Sequence, residues 1–237
     1  MLQVKGITKK FGGVAALNSV SFDVGKGEVF AIIGPNGSGK TTLFNVVAGF
    51  HKPDGGSISF EGKDITGWQP FRVAQAGIAR SFQNTRPFPD LTTLDNVVVG
   101  ALTRHRNIRE ARSKAEEVMA TVGLGGAAGM QAKNLSIQDR KRLEVAKAIA
   151  TSPRLLLLDE PMAGLTGEEI PDFVSLIKRL NESGMTILLI EHVLYAITKV
   201  ADRLMVMDNG NKLAEGAPGD IMNDSRVLKA YIGEDDA

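Results

Sequence analysis

The sequence predicts an α/β fold in three parts: a parallel-sheet core, a small antiparallel β subdomain and an inserted α-helical subdomain. Three observations carry that prediction. First, Gly34-Pro-Asn-Gly-Ser-Gly-Lys-Thr-Thr42 lies between the apolar run Val29 to Ile33 and the helical spacing Leu43, Val46, Val47, Phe50, which reads as strand, glycine-rich loop, helix. Second, Leu155 to Leu158 and Thr186 to Ile190 read as strands, the first continuously apolar as expected of a parallel strand covered on both faces. Third, the stretch from Leu94 to Ala150 reads as wholly helical and interrupts the alternation of strand and helix. Residues 1–84 and 151–237 are therefore expected to form the core with its antiparallel subdomain, and 85–150 the insertion.

The elements follow in order. Val4, Ile7, Val20, Phe22 and Val24 alternate in the strand manner, broken by Gly12-Gly13 and Gly25-Lys-Gly27, which predicts an antiparallel hairpin leading into the first core strand. Pro53-Asp-Gly-Gly56 marks a turn before a short strand at Ser57 to Glu61, and Ile78 to Phe82 reads as another. In the insertion, Ile108, Ala111, Ala115, Val118, Met119 and Val122 share one helix face, opposite the charged Arg109, Glu110, Arg112, Lys114, Glu116 and Glu117. Gly123 to Ala132 is a connection. Beyond it, Phe173, Leu176, Ile177 and Leu180 give a helix face, and Tyr195 to Ala201 a further helix. Leu204 to Met207 and Lys212 to Ala214 are strands around the turn Asp208-Asn-Gly210, with short helices from Pro218 to Ile232.

Composition sets bounds. With 28 basic and 27 acidic residues, no excess charge points to nucleic acid or an acidic surface. The absence of cysteine removes disulfides and thiolate metal sites. No run approaches the roughly 18 apolar residues of a membrane span, and the start lacks an apolar stretch of signal length, so the expected address is cytosolic, with any membrane contact made through a partner.

The spacing Gly34, Gly39, Lys40, Thr41 fits Gly-x-x-x-x-Gly-Lys-[Ser/Thr]. A loop wrapping a phosphate chain must aim several N–H groups inward, which glycine permits, and the following helix adds the positive end of its dipole. Lys40 is expected to reach the β- and γ-phosphates and the Thr41 hydroxyl to ligate Mg²⁺. A dinucleotide fingerprint is disfavoured, since its last glycine is missing and a lysine with hydroxyls stands there. Asp159-Glu160 closes the Leu155 to Leu158 strand, at the edge where ligands of parallel sheets bind. Asp159 is expected to hold Mg²⁺ and Glu160 to activate water. Because adjacent strand residues point to opposite faces, that pairing needs the chain to turn at Pro161. His192 follows the second such strand and reaches the same edge, either as a phosphate or water contact or as a structural histidine. Phe11 is either a base-stacking or a core aromatic.

Taken together, Gly34 to Thr42, Gln83 after Arg80-Ser-Phe, Leu135-Ser136 before a helix, Leu155 to Glu160 and Glu191-His192 resemble the ATP-binding subunit of an ABC transporter in order and spacing over nearly the whole chain. Thr8-Lys-Lys-Phe-Gly-Gly13, Gly77 to Asn84 and Ile190-Glu-His192 resemble, within that family, the subunits of branched-chain amino acid importers, the LivG type. The resemblance implies a P-loop, RecA-like core that binds ATP with Mg²⁺ and hydrolyses the ATP. It implies base stacking by Phe11 and nucleotide contacts from Gly34, Asn36, Gly37, Ser38, Gly39, Lys40, Thr41 and Thr42, with Ser136 reaching ATP across a dimer. It implies Mg²⁺ contacts from Thr41, Gln83 and Asp159, and catalysis by Glu160, His192 and Lys40. The partners it implies are membrane permease subunits, a second ATP-binding subunit and, indirectly, a periplasmic or extracellular solute-binding protein. Asn84 to Thr93 and the helical insertion are expected to meet cytoplasmic helices of the permease, at the inner face of the membrane.

Two departures stand out. The family's Leu-Ser-Gly-Gly-Gln is here Leu135-Ser-Ile-Gln-Asp139, which keeps a helix N-cap at Ser136 but loses both glycines. Thr166 replaces a usual aspartate, and with Glu169 it also has the form of a capping box. The altered segment suggests a heterodimer with two unequal ATP sites. The rival readings are an ATPase for lipid or lipopolysaccharide export and a non-transport ABC ATPase; a GTP switch is disfavoured because no Asn-Lys-x-Asp occurs.

Overall fold

The computed structural model describes residues 1–81 and 87–232. Two sheets organise the chain. The hairpin of β1 (Leu2–Phe11) and β2 (Val14–Val24) joins β4 (Gly55–Phe60) and β5 (Lys63–Asp64) in an antiparallel sheet of order β2-β1-β4-β5. The second sheet adds β3 (Val29–Ile33), β6 (Ile78–Arg80), β7 (Leu155–Asp159), β8 (Thr186–Ile190), β9 (Arg203–Asp208) and β10 (Asn211–Gly216) in the order β10-β9-β3-β8-β7-β6. All its pairings are parallel except β10 with β9, the hairpin expected around Asp208-Asn-Gly210.

The apolar runs follow from burial on both faces. Leu156, Leu158, Ile187, Leu189, Leu204 and Val206 point into one core, while Leu155, Leu157, Leu188, Ile190, Met205 and Met207 point into another. The period-2 alternation therefore divides each strand between two cores, and the buried residues of both faces are apolar except at the strand ends Thr186 and Asp159. The second core is closed by α1 (Lys40–Val47) and the antiparallel sheet. The first is closed by α6 (Ile170–Glu182), α7 (Leu194–Val200) and the helices α3 (Thr93–Ala101), α4 (Ile108–Val122) and α5 (Ile137–Ile149). The helices α8 (Pro218–Ile221) and α9 (Ser225–Ile232) finish the chain.

The stretch from Leu94 to Ala150 is less continuously helical than the sequence predicts. An unforeseen connection at 102–107 separates α3 from α4, which starts at the Asn107 N-cap, while the expected connection after α4 opens at Gly123, φ +78°, and runs to the Ser136 cap of α5. Ile108 leaves the expected buried face: it is the first residue of α4 and 59% exposed, and the apolar stripe starts at Ala111. A second difference is α2 (Pro70–Ala76), which the sequence reading left without an element. Proline at its first position and the left-handed Gly77 at its end are its local reasons to form. Ser136 caps α5 as expected, accepting the Asp139 N–H at 3.1 Å while its hydroxyl donates to the Asp139 carboxylate at 3.0 Å. Glu169 makes half of a capping box, accepting the Thr166 N–H at 2.8 Å, but α6 itself begins at Ile170 next to Pro171.

Leu157 is fully buried between α1 and the sheet, so Leu157→Ala is expected to cost about 2–5 kcal/mol of folding stability, lost contacts and residual cavity together. Urea unfolding followed by circular dichroism checks this.

Candidate active site

The pairing register brings the site together. Ile32 of β3 pairs with Ile190 of β8, and Ile190 pairs with Asp159 of β7, so the three strands end in one row. The loops that leave that row begin at Gly34, Glu160 and Glu191.

The first loop has no room for a side chain at Gly34 or Gly39. A Cβ on Gly34 would stand 2.0 Å from the Met207 carbonyl oxygen, and one on Gly39 2.4 Å from that of Ala16, with φ at +149° and +100°. The loop is thus pressed against β9 and β2 on its outer side, leaving its inner side open. Leu43 N–H to Gly39 C=O is the first bond of α1, so the amides of residues 40–42 have no helical acceptor. They face, with Asn36, Gly37 and the side chains of Lys40, Thr41 and Thr42, a cavity of about 490 Å³ that Glu160 lines from the other side. The Lys40 ammonium donates to the carbonyls of Gly34 at 2.8 Å and Pro35 at 2.9 Å. Burial pulls it below the ordinary lysine range, while the Glu160 and Asp159 carboxylates oppose that shift.

The two acids part company at the strand end. Asp159 keeps strand geometry and is buried, its Oδ2 accepting the Arg80 guanidinium at 2.6 Å. Its Oδ1 is buried too and makes no hydrogen bond among the described residues. Glu160 instead adopts φ +48°, a left-handed conformation that costs about 1–2 kcal/mol for a residue with a side chain. That turn, one residue before Pro161, resolves the conflict between adjacent strand residues and points Glu160 into the cavity. There its Oε1 meets His192 Nε2 at 2.7 Å. Which of the two donates depends on the imidazole tautomer; an ionised carboxylate would accept from Nε2.

Two expected residues stand elsewhere. Phe11 is 45% exposed at the end of β1 with its ring 5.2 Å from that of His51, and the hairpin residues lining the cavity are Val14, Ala15 and Ala16. Ser136, expected to serve the ATP of a second subunit, caps α5 outside the lining of this chain's own cavity, and Ile137 beside it is 60% exposed. Gln83 lies outside the described residues.

Sequence reasoning gave no role to Arg80 and Glu191, though both stand in the motifs it used, and missed Lys141. Arg80 binds Asp159 and, at 2.6 Å, Asn45 of α1, a meeting that only the β6–β7 pairing creates. Glu191 was legible in principle, because it repeats one strand over the pattern of an acid directly after a fully apolar run. Lys141 falls at helical spacing with the buried Val145 and Ala148, which marks it as a lysine on an inward face.

A glycine loop, a lysine, a buried carboxylate with a spare oxygen and an acid–histidine pair define a nucleotide-hydrolysing site of the P-loop kind. The ABC transporter family model matches residues 17–163, and a model for the branched-chain amino acid ATP-binding cassette transporter matches residues 211–237. The chain is 39% identical to the high-affinity branched-chain amino acid transport ATP-binding protein BraF of Pseudomonas aeruginosa, covering 99% of this chain and 98% of that one. It is 38% identical to LivG of Escherichia coli K12 with the same coverage. A solved nucleotide-free ATP-binding cassette of an ABC transporter superposes with a TM-score of 0.91 at 36% identity, covering 99% of both chains. A cassette in its ADP conformation gives 0.90 at 35%, again over 99% of both. The chain belongs to the ABC transporter family of ATP-binding proteins, in the branch of these LivG-type relatives. It binds nucleotide and hydrolyses ATP as a subunit of a transport system whose membrane-spanning parts are other chains. None of its described helices is long and apolar enough to cross a membrane.

Lys40→Ala removes the one ammonium aimed into the loop. ATP affinity is expected to fall roughly 10- to 100-fold, as for loss of a charge-assisted bond of about 1.5–3 kcal/mol. Fluorescent-nucleotide titration measures it, and unchanged affinity contradicts the loop assignment.

Proposed function

We propose that this chain powers uptake of branched-chain or related amino acids, seated on the cytoplasmic face of the membrane against permease subunits that a solute-binding protein supplies from outside. The observation that carries the reading is the convergence of the Lys40 loop, Asp159 and the Glu160–His192 pair on one sheet edge. The relatives favour import over the rival reading of lipid or lipopolysaccharide export.

The residues divide the work. The loop amides and Lys40 embrace the triphosphate, with Gly34, Asn36, Gly37, Ser38, Gly39, Thr41 and Thr42 shaping the cradle, and the base lies over the hairpin beyond Val14, Ala15 and Ala16, toward the exposed Phe11 ring at its edge. Glu160 takes a proton from the attacking water, and His192 orients Glu160. Most of the rate enhancement then comes from position and charge. The spare buried Oδ1 of Asp159 and the Thr41 hydroxyl on the cavity wall suit a hard, oxygen-seeking cation. Thr41 and Asp159, with Gln83, would hold Mg²⁺, which neutralises phosphate charge when bound.

The three-part division, 1–84 with 151–237 around the insertion 85–150, suits docking on a permease. A groove of about 890 Å³ runs between the core and the helical insertion, with exposed Phe50, Phe71 and Val99 on its walls. It reaches Thr41 and Asp159, so a permease helix seated there lies next to the nucleotide site. The altered segment Ser136-Ile-Gln-Asp139 supports pairing with a second ATP-binding subunit of intact signature, giving two unequal sites.

Two outcomes test these statements. Glu160→Gln is expected to lower ATP turnover about 10²- to 10⁴-fold with ATP binding intact, and near-normal turnover removes Glu160 from the role of base. Turnover of the purified chain is expected to rise when a partner ATP-binding subunit and permease are added. Full cooperative turnover by the chain alone contradicts the heterodimer.

A further inference from the structure

Two buried charges lie directly behind the Glu160 turn and have no part in the chemistry assigned so far. The Glu191 carboxylate accepts the N–H of Met162 on one oxygen at 2.7 Å, and those of His192 and Val193 on the other at 2.9 and 3.3 Å. Lys141, in the second turn of α5, donates its ammonium to the Glu160 carbonyl oxygen at 3.3 Å. Both side chains are nearly inaccessible, at 1% and 8% exposure, in a part of the fold where an apolar residue packs at less cost. Burial pushes the Glu191 carboxyl up and pulls the Lys141 ammonium down, each partly offset by its neighbours: three N–H donors for Glu191, and the carboxylates of Glu191, Glu160, Asp159 and Glu144 for Lys141.

What these groups hold is Glu160, the strained residue from which the site's acid projects. Glu160 is left-handed at φ +48°. Its N–H is tied to the Ile190 carbonyl at 2.9 Å, its carbonyl to Lys141, and the amide two residues on to Glu191. Glu191 also fixes the backbone of His192, whose ring holds the Glu160 side chain. We propose that Glu191 and Lys141 are positioning residues for ATP hydrolysis, which together lock the Glu160 turn and bring His192 against it. The inference rests on Glu160 as the base. It also places α5, the helix that Ser136 caps, in direct contact with the catalytic turn of its own chain through Lys141.

The geometry dictates the variants. In Glu191→Gln only one oxygen remains to accept, so an amide N–H₂ faces either Met162 or the His192–Val193 pair. Lys141→Met keeps the length and removes the donor, and Lys141→Arg restores one. In the assembled transporter, Glu191→Gln and Lys141→Met are each expected to lower kcat at least tenfold while ATP affinity stays within threefold, and Lys141→Arg to recover most of the loss. The His192 ring resonances, readable among only three histidines, are expected to shift in Glu191→Gln. Turnover within twofold of wild type overturns the inference, as does a parallel fall of kcat and ATP affinity, which assigns the pair to folding alone. If Glu191→Gln does not fold, the two Lys141 variants decide by the same criteria. Glu160→Gln measured alongside separates the failures: should it retain turnover, the base assignment is wrong; should it lose turnover while the other variants do not, only the positioning role is.

Discussion

The shared register of β3, β8 and β7 is the constraint on which the rest of the molecule depends. Ile32, Ile190 and Asp159 occupy one row, so the phosphate loop, the Glu160 turn and the His192 turn leave the sheet side by side. A one-residue slip of β7 would exchange its two faces, driving Asp159 away from Arg80 and moving Leu155 and Leu157 into the wrong core. The two apolar cores on either side of the sheet are what hold that row in place, since every residue of the three strands except Asp159 and Thr186 is a buried hydrophobic one. Packing thus fixes the chemistry at a distance.

Within the row, neighbouring acids are given separate tasks by backbone geometry alone. Asp159 remains in the strand, where Arg80 neutralises it from β6 and stands near the rings of Phe44 and Phe50. Glu160 leaves the strand through a left-handed residue and enters the cavity facing Lys40. The strain is small beside the burial that surrounds it, and the hydrogen bonds of Ile190, Lys141 and Glu191 over-determine the turn. The phosphate loop is shaped in the same way from outside, by the Met207 and Ala16 carbonyls that leave no room for a side chain at Gly34 or Gly39.

The strands and the chemistry-bearing loops were legible because each carries a local signal: unbroken apolar runs for β3, β7 and β8, and a glycine–lysine spacing for the loop. The Ser136 cap was legible for the same reason. Ile108 was misjudged because periodicity cannot see that the first helical residue overhangs the packed stripe. The helix α2 is too short, and too weakly patterned, for spacing to reveal it. Arg80 and Lys141 were hidden more deeply, since their partners are 79 and 19 residues away and meet them only after the sheet and α5 have packed. The sequence leaves Phe11 open between a core and a base-stacking aromatic, because a lone aromatic carries no periodic signal; the fold excludes the core reading, leaving the ring 45% exposed against His51 at the edge of the hairpin.

The account reduces to a claim about one edge of one sheet, that the amides after Gly34 and the acids after Leu158 face the same triphosphate. A crystal structure of the Glu160→Gln chain grown with magnesium and ATP tests it most directly. The account predicts phosphate density enclosed by residues 34–42, a cation beside the Thr41 hydroxyl on the Asp159 side, and residue 160 turned toward the terminal phosphate. Nucleotide bound elsewhere, or phosphates in that loop with residues 159 and 160 directed away from them, would contradict it.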